Sequence, residues 1–381
     1  MQITSIILGL ADGILPKVYN TNGIDLLPNQ KDNRIVASEL TIAEIITENK
    51  TATKVDIRVV INNPSNLEIT GIEIDDMNIT MTLNAYQDGK TYLNITATPV
   101  RYYDNYKLSS IKYKLNGENK QENVAVKVDT QFFKDISSYE DWQAMDEYPQ
   151  NYKLIGDIDL LGKTDIKANV SINRLEAEIP RAIKNININF TNGGNGLIKE
   201  IKSSVKNINF ENIKITSTVA YSPSGTGLIV TNSAYIEDVN FKNITIYAPN
   251  VTGVAMILGV TTNNKINNVT LEDITCTGSA YVGGLGGNIT STGINFSNIY
   301  ANNLTITATG DYVAANYAGG ITAIGPNTIG NNLKVENSRI TGANNVGAIA
   351  GYGGGLNWEG NNNVINGVSG VGGLTGSGGP R

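Results

Sequence analysis

The first third of the chain alternates between hydrophobic and polar residues. Between Thr53 and Ile61 the apolar side chains fall mainly on every second position, and the turn formers Asn62 to Asn66 follow at once. This spacing places the apolar side chains on one face of a strand, and a cluster of Asn, Pro and Ser ends the strand. Residues 34–130 are therefore predicted to form an antiparallel β-sandwich. Further strands are expected at 67–69, 72–74, 92–97 and 110–115.

The length of this predicted sandwich suits an immunoglobulin-like domain. Its span is close to the roughly 100 residues of that fold, and short strands separated by turns fit two packed sheets. The cysteines and the tryptophan that mark antibody domains are missing from this stretch. The prediction is an immunoglobulin-like module without the antibody-type disulfide. Residues 1–33, which show no clear period, are interpreted as a lead-in or linker.

A single helix is predicted between 131 and 150. Ser137 and Glu140 have the spacing of a capping box, in which the Ser side chain accepts from a backbone amide while the Glu reaches back. The helix is expected to run to about Tyr148 and to stop before Pro149. A helix at this place would cap the apolar end of a repeat array, which the first repeat cannot stack on a neighbour.

The remainder of the chain, 151–381, repeats. The stretches 206–215, 237–246 and 267–276 are similar, and their anchors Phe210, Phe241 and Leu271 lie about 30 residues apart, with weaker copies at Phe296 and Val335. A Gly-rich motif alternates with them, as in Val282-Gly-Gly-Leu-Gly and Val346-Gly-Ala-Ile-Ala-Gly. Parallel coils of this length, without helix-period segments, indicate a right-handed parallel β-helix. Asn recurs at the expected turns, where it tolerates left-handed backbone and its amide can ladder to the next coil.

The overall composition supports an all-β chain and argues against polyanionic partners. Hydrophobic residues make up 40% of the 381 residues, whereas charged residues make up 17% and aromatic residues 7%. A core of β-branched aliphatic residues suits stacked strands. The net charge is −6 and no Lys/Arg cluster occurs, which argues against nucleic acid and anionic membranes as partners. No apolar run is long enough for a membrane-spanning segment.

The two ends of the chain suggest a piece of a larger protein. Residues 371–376 begin a further Gly-rich unit, and the sequence stops soon afterwards. We therefore expect a solenoid that is truncated at its C-terminus and is covered there by further domains or subunits. The apolar run after Met1 lacks a preceding basic region and is interrupted at Asp12, so it is interpreted as a strand or linker rather than a signal peptide.

The repeats and the segment before them resemble known bacterial surface proteins. The Gly-Gly-Leu-x-Gly copies are similar to the GLUG repeat of bacterial cell-surface proteins. The stretches 131–142 and 151–160 resemble the non-catalytic N-terminal region of zinc metalloproteases that cleave immunoglobulin A. Those proteases bind zinc through a His-Glu-x-x-His helix, and this chain contains no His. The resemblance implies a surface-displayed accessory region rather than the protease itself.

Candidate chemistry is sparse. Asp157 and Asp159 are two positions apart and share one face of a predicted strand. They are interpreted as solvated or turn-capping acids, with a carboxylate pair for sugar hydrolysis or Ca²⁺ binding as the alternative. Cys276 is expected to be a small buried hydrophobic residue, since no His is available to activate it. Phosphate binding by the Gly strings is not expected, because no Gly-Lys-Ser/Thr follows them.

Exposed aromatic residues are the best candidates for binding. Tyr and Trp often dominate recognition surfaces, although packing at coil corners is the alternative. The segment 310–319 lengthens its repeat and is expected to protrude. The predicted ligand-binding residues are Tyr312, Tyr317, Tyr352 and Trp358.

These patterns favour a non-catalytic function with no metal or other cofactor. We expect an extracellular or surface-bound bacterial module that acts as a rigid spacer or positions a host protein or glycan. The alternatives are a polysaccharide-binding or polysaccharide-degrading β-helix and the substrate-recognition region of a secreted metalloprotease.

Overall fold

The structure is a computed structural model that is nearly all β, with 72% of the chain in strands and almost no helix. It describes residues 5–8, 17–20, 40–191, 196–219, 225–232, 235–260, 265–288, 295–310 and 316–377. The predicted lead-in contributes a two-stranded antiparallel pair, β1 (Ser5–Leu8) and β2 (Lys17–Asn20).

Two antiparallel sheets follow and enclose one hydrophobic core; we call them the two-sheet domain (residues 40–128). The first sheet has the order β3-β4-β7-β6 and the second β5-β8-β9. Apolar residues of both sheets, such as Val59, Leu93, Ile72 and Leu108, are almost fully buried together. The alternation in the sequence therefore predicted antiparallel strands correctly, while their immunoglobulin-like nature stays a prediction. The strands are β3 (Thr41–Glu48), β4 (Val55–Asn62), β5 (Glu68–Ile74), β6 (Met77–Gln87), β7 (Lys90–Pro99), β8 (Tyr106–Leu115) and β9 (Glu118–Val128).

The helix is shorter than predicted and begins one residue later. It is α1 (Tyr139–Gln143), whose N-cap is Ser138 rather than Ser137. The Oγ of Ser138 accepts a hydrogen bond from the amide of Asp141 at 3.1 Å, and the carboxylate of Asp141 accepts from the amide of Ser137 at 2.8 Å. Both serines are followed by an acidic residue three positions later, and the structure uses the second pair. The chain leaves the helix at Ala144, well before Pro149.

The rest of the described chain is a β-solenoid built from parallel strands. Its first rung, β10, precedes the helix and pairs in parallel with β11, so the ladder begins before the predicted boundary at 151. The handedness of the coils stays a prediction. The strands are β10 (Lys134–Ile136), β11 (Gln150–Leu154), β12 (Ile158–Asp159), β13 (Val170–Phe190), β14 (Gly196–Ser217), β15 (Thr226–Asn232), β16 (Tyr235–Tyr247), β17 (Gly253–Val260), β18 (Lys265–Gly278), β19 (Tyr281–Gly283), β20 (Gly286–Asn288), β21 (Asn295–Ala308), β22 (Tyr317–Gly319), β23 (Thr322–Glu336), β24 (Arg339–Thr341), β25 (Asn344–Gly347), β26 (Ala350–Asn361), β27 (Val364–Asn366), β28 (Ser369–Gly372) and β29 (Thr375–Ser377).

The repeat anchors form a column through the solenoid core. Phe210 pairs with Phe241, which pairs with Leu271, and all three are fully buried. The rings of Phe210 and Phe241 stack with centroids 5.5 Å apart and planes 9° from parallel. The next members are Ala301 and Val335, so the assignment of Phe296 to this column was wrong. Phe296 instead continues the column of Ile266, five positions earlier in the coil, where it is equally buried.

Asparagine and aspartate turn the chain at two corners of several successive coils. These residues have left-handed backbone, with φ between 50° and 57° at Asn212, Asn243, Asp273 and Asn303. The Nδ2 of Asn212 donates to Oδ1 of Asn185 at 3.1 Å, and the Nδ2 of Asn243 donates to Oδ1 of Asn212 at 2.8 Å. The predicted ladder of amides is therefore confirmed. The second corner, five residues earlier, uses Asn207, Asp238, Asn268, Asn298 and Asn332.

Candidate functional site

One of the predicted binding residues stacks on a neighbour in the adjacent coil. Tyr317 lies beside Tyr281, with ring centroids 5.5 Å apart and planes 12° from parallel. Both side chains are partly buried, and burial raises the pKa of Tyr281. Their mutual stacking therefore uses part of the aromatic surface that a ligand would need. Tyr312 lies outside the described residues, so its predicted role stays untested.

The other two predicted aromatic residues do not join this stack. Trp358 packs partly buried against the solenoid core, and its Nε1 donates to the backbone oxygen of Gly330 at 3.3 Å. Tyr352 lies on β26 in register with Ile324 and is also partly buried. Tyr317 and Tyr352 belong to different columns of the solenoid, since Tyr317 pairs with Tyr281 on β19. The described aromatic candidates do not form one row.

Asp157 and Asp159 accept hydrogen bonds from backbone amides, and Asp159 also joins the corner ladder through Asn185. The carboxylate of Asp157 accepts from the amide of Ala182 at 3.0 Å and lies 3.8 Å from the Nζ of Lys184. The carboxylate of Asp159 accepts from the amide of Leu161 at 3.0 Å and from the Nδ2 of Asn185 at 2.7 Å. These bonds lower the pKa of Asp159, the bond from Asn185 most of all. Asp159 is thus engaged in a turn contact and in the corner ladder, whereas Asp157 contacts strand β13 of the neighbouring coil, and both side chains are exposed.

The remaining groups with possible chemistry are the thiol of Cys276 and the acidic side chains. Cys276 is fully buried in the solenoid core, and burial raises the pKa of its thiol. A thiol held in its neutral form is a poor nucleophile. Within the described ranges, no group of three or more His, Cys, Asp or Glu side chains is placed to hold a metal ion.

A cluster of polar side chains around Asp104 lies where the two-sheet domain meets the solenoid. Asp104, in the loop between β7 and β8, accepts from the Nε of Arg174 at 2.5 Å and from the Nε2 of Gln131 at 2.7 Å. The Nδ2 atoms of Asn151 and Asn173 lie 3.2 Å and 3.3 Å from the same carboxylate. Burial opposes the charge on Asp104, but the hydrogen bonds from Arg174 and Gln131 outweigh it and lower the pKa of Asp104.

Backbone bonds reinforce this junction. The amide of Asn151, on β11, donates to the backbone oxygen of Tyr102 at 2.7 Å. The amide of Tyr102 in turn donates to Oε1 of Gln150 at 3.0 Å. Gln150 and Asn151 are both nearly fully buried. The loop after β7 is therefore tied to the first strands of the solenoid by main-chain and side-chain contacts.

An aromatic side chain stands beside the junction in a defined position. The guanidinium of Arg101 lies 4.3 Å from the ring centroid of Tyr148. Arg101 is held by Asp76 at 3.0 Å and by Asp146 at 3.8 Å. The carboxylate of Asp146 also accepts from the amide of Tyr148 at 3.1 Å. Tyr148 nevertheless remains 48% exposed, so its ring is oriented but still accessible.

An open groove of about 360 Å³, which we call the junction groove, lies beside these residues. It lies between the loop before β8, the segment that leads into β11, and the first coils of the solenoid. Sequence reasoning did not identify it, because its residues are distant along the chain and show no shared motif. The groove is lined by Tyr103, Asp104, Asn105, Tyr148, Pro149, Asn173 and Lys202.

No protein-family model matches the chain, and no curated protein matches its sequence. The resemblance to GLUG repeats and to the immunoglobulin A proteases therefore stays a prediction from the motifs. In the described part of the chain, no helix is long and apolar enough to cross a membrane.

Proposed function

We propose that this chain is a non-catalytic, extracellular or surface-displayed bacterial module that acts as a rigid spacer and positions a partner. The observation that carries this proposal is the continuous parallel ladder from β10 to β29, joined to the two-sheet domain by Asp104. In this interpretation the two-sheet domain is immunoglobulin-like, α1 caps the first coil, and the coils are right-handed. The GLUG-like repeats are consistent with such a role.

Stacked coils suit a spacer because each coil contacts its neighbours and lengthens the particle by roughly one strand spacing, about 4.8 Å. Filled interiors stiffen the array. Trp142 of α1 is fully buried in the same core as the first strands, and its Nε1 donates to the backbone oxygen of Lys167 at 2.9 Å. A helix anchored in this way supports the proposed cap.

The proposal that the module does not catalyse rests on the chemistry of its groups. Catalysis requires an acid, base or nucleophile with a tuned pKa in a pocket. The chain has no His, its one thiol is buried, and Asp157 and Asp159 each accept a hydrogen bond from a backbone amide. A polysaccharide-degrading activity would need carboxylates that are free to act on a substrate.

The last described coil supports the idea that a partner surface covers this end. Val371 is 45% exposed, whereas its register partner Val346 is fully buried. Val368, on the turn before it, is 87% exposed. The same apolar position is therefore buried in one coil and exposed in the next. Exposed apolar side chains of this kind favour contact with another surface. We propose that a second copy of the chain supplies it.

Small-angle X-ray scattering on the purified chain tests the spacer role. We expect an elongated particle with one long dimension. A scattering profile of a compact sphere of 40.8 kDa would contradict the proposal. Protease accessibility of the protein on intact cells of its source tests the location. Cleavage only after lysis would argue against surface display.

Sedimentation velocity tests the partner surface. We expect association that increases with protein concentration and that is lost in a Val368→Asp, Val371→Asp variant. Val100→Asp is the matched control, since Val100 is 53% exposed on the two-sheet domain. Equal association of all three proteins would mean that the last coil does not mediate it.

A further inference from the structure

We propose that the junction groove binds a short neutral saccharide, one or two sugar rings long, with Tyr148 as its stacking platform. This inference adds a ligand site to the proposed spacer and does not depend on the particle being elongated. It also places recognition at the junction rather than on the solenoid tyrosines that the sequence favoured.

Tyr148 presents the kind of surface that a sugar ring recognises. Its ring is 48% exposed, although the guanidinium of Arg101 lies against it at 4.3 Å. An exposed aromatic ring offers an apolar face for the C–H groups of a pyranose and a hydroxyl for hydrogen bonding. The Arg101 guanidinium orients the ring of Tyr148, and the exposed part of this ring lines the groove.

The platform is held before any ligand arrives. Asp146 contacts both Arg101, at 3.8 Å, and the amide of Tyr148, at 3.1 Å. The amide of Asp146 donates to the hydroxyl of Tyr152 at 3.1 Å, and Tyr152 is fully buried in the solenoid core. A ligand would therefore meet a surface that loses little conformational entropy on binding.

The facing wall carries groups that match sugar hydroxyls. The Nδ2 of Asn173 donates to Oδ1 of Asn151 at 2.7 Å and to Asp104 at 3.3 Å, which orients its amide. Oδ1 of Asn173 accepts no hydrogen bond from the described residues and remains available to a ligand hydroxyl. Asn105 and Lys202 are exposed at the rim and supply further donors and acceptors.

The charge around the groove selects a neutral ligand. Asp104 lines the groove, Asp76 and Asp146 hold the Arg101 that lies against Tyr148, and Lys202 is 3.7 Å from the carboxylate of Glu200. A phosphate or a sugar carboxylate would meet Asp104 in the lining, and the nearby guanidinium groups are already paired, Arg101 with Asp76 and Asp146 and Arg174 with Asp104. The chain as a whole carries a net charge of −6, which also disfavours an anionic ligand. A volume of about 360 Å³ lies at the small end of ligand sites, which suits one or two rings.

Saturation-transfer NMR on the full chain tests the proposal with three probes: N-acetylglucosamine, galactose and N-acetyllactosamine. We expect transfer to at least one of them, and titration gives its Kd. Tyr148→Ala should weaken binding by about tenfold or more, the size of one lost aromatic stacking contact. Tyr148→Phe keeps the ring and should bind within a few-fold of the wild type.

Two further variants separate ligand contact from misfolding. Lys202→Ala should weaken binding severalfold without changing the thermal midpoint, because its side chain is exposed. Tyr247→Ala removes a tyrosine of similar exposure, 51%, from the solenoid surface and should leave Kd unchanged. The proposal fails if none of the three probes binds, or if Tyr148→Ala binds as the wild type does. Stronger binding of N-acetylneuraminic acid would overturn the neutral class.

Discussion

The carboxylate of Asp104 lies 2.5 Å from the Nε of Arg174, although the two residues are 70 positions apart in the chain. Arg174 also contacts Glu176 at 3.1 Å and the Oγ of Ser204 at 3.0 Å. Asp104 thus links a loop of the two-sheet domain to two successive coils of the solenoid. This contact fixes the wall of the junction groove and the relation between the two parts of the chain.

Removing the charge of Asp104 should destabilise the junction. Asp104→Asn keeps the size of the side chain but loses the charge-assisted bond from Arg174, which is partly buried. We expect a loss of about 1–3 kcal/mol in the free energy of unfolding. Urea unfolding followed by the fluorescence of Trp142 and Trp358 measures it. Asp75→Asn, at an exposed turn, is the control and should change little.

The same pair predicts an acid-dependent stability. The pKa of Asp104 is lowered in the folded chain, where hydrogen bonds from Arg174 and Gln131 overcome the effect of burial. In the unfolded chain it should return to about 3.9. The stabilisation is therefore complete above roughly pH 4 and is lost as the pH falls through the folded-state pKa.

Thermal unfolding from pH 7 to pH 3 checks this dependence. The difference in Tm between the wild type and Asp104→Asn should be largest near neutral pH and should shrink as acid protonates Asp104. Other carboxylates titrate equally in both proteins, so the difference isolates this group. A constant difference across the range would show that the charge of Asp104 does not stabilise the fold.

The anchor column should be sensitive to the volume of its side chains. Phe241 is fully buried and stacks on Phe210, so Phe241→Ala leaves a cavity and should cost about 3–5 kcal/mol. Phe241→Leu should cost less, because Leu271 already fills the same position in the next coil. Denaturant midpoints compare the variants. Equal losses for Ala and Leu would argue against packing as the cause.

The corner ladder should depend on both backbone conformation and the amide. Asn212 has φ of 54° and bonds with Asn185 and Asn243 through its side chain. Asn212→Ala loses these bonds and places an alanine in the left-handed region, which costs about 1–2 kcal/mol by itself. Asn212→Gly removes the bonds without that steric cost, so it should lie between the alanine variant and the wild type. An alanine variant as stable as the glycine variant would contradict the backbone argument.

The solenoid could be predicted from the sequence because the same pattern of apolar anchors and corner amides recurs in successive coils. The column of Phe210, Phe241 and Leu271 and the corner amides recur with each coil, so register could be inferred without a structure. The same logic failed at Phe296, where the copy is weaker and an apolar residue five positions away competes for the anchor. The helix start was misplaced because Ser137 and Ser138 offer equivalent caps.

The junction groove could not be predicted in the same way. Its residues belong to no repeated motif and lie far apart in the sequence. Contacts between the two-sheet domain and the solenoid bring together Arg101, Asp104, Tyr148 and Asn173. The solenoid tyrosines were predicted to bind a ligand because Tyr and Trp often dominate recognition surfaces. Whether such a ring is free depends on its neighbours in adjacent coils, as the stack of Tyr281 and Tyr317 shows.

The Gly-rich strands should tolerate a methyl group only where the next coil leaves room. A Cβ on Gly320 would lie 2.0 Å from the backbone oxygen of Ala348, to which the amide of Gly320 donates at 3.0 Å. The coils would have to separate there, and Gly320→Ala should cost about 1–3 kcal/mol. Gly373 lies at the equivalent position of the last described coil, where a Cβ meets nothing within 4 Å. Gly373→Ala should therefore stay within about 0.5 kcal/mol of the wild type, and similar thermal midpoints for the two variants would contradict the close-approach argument.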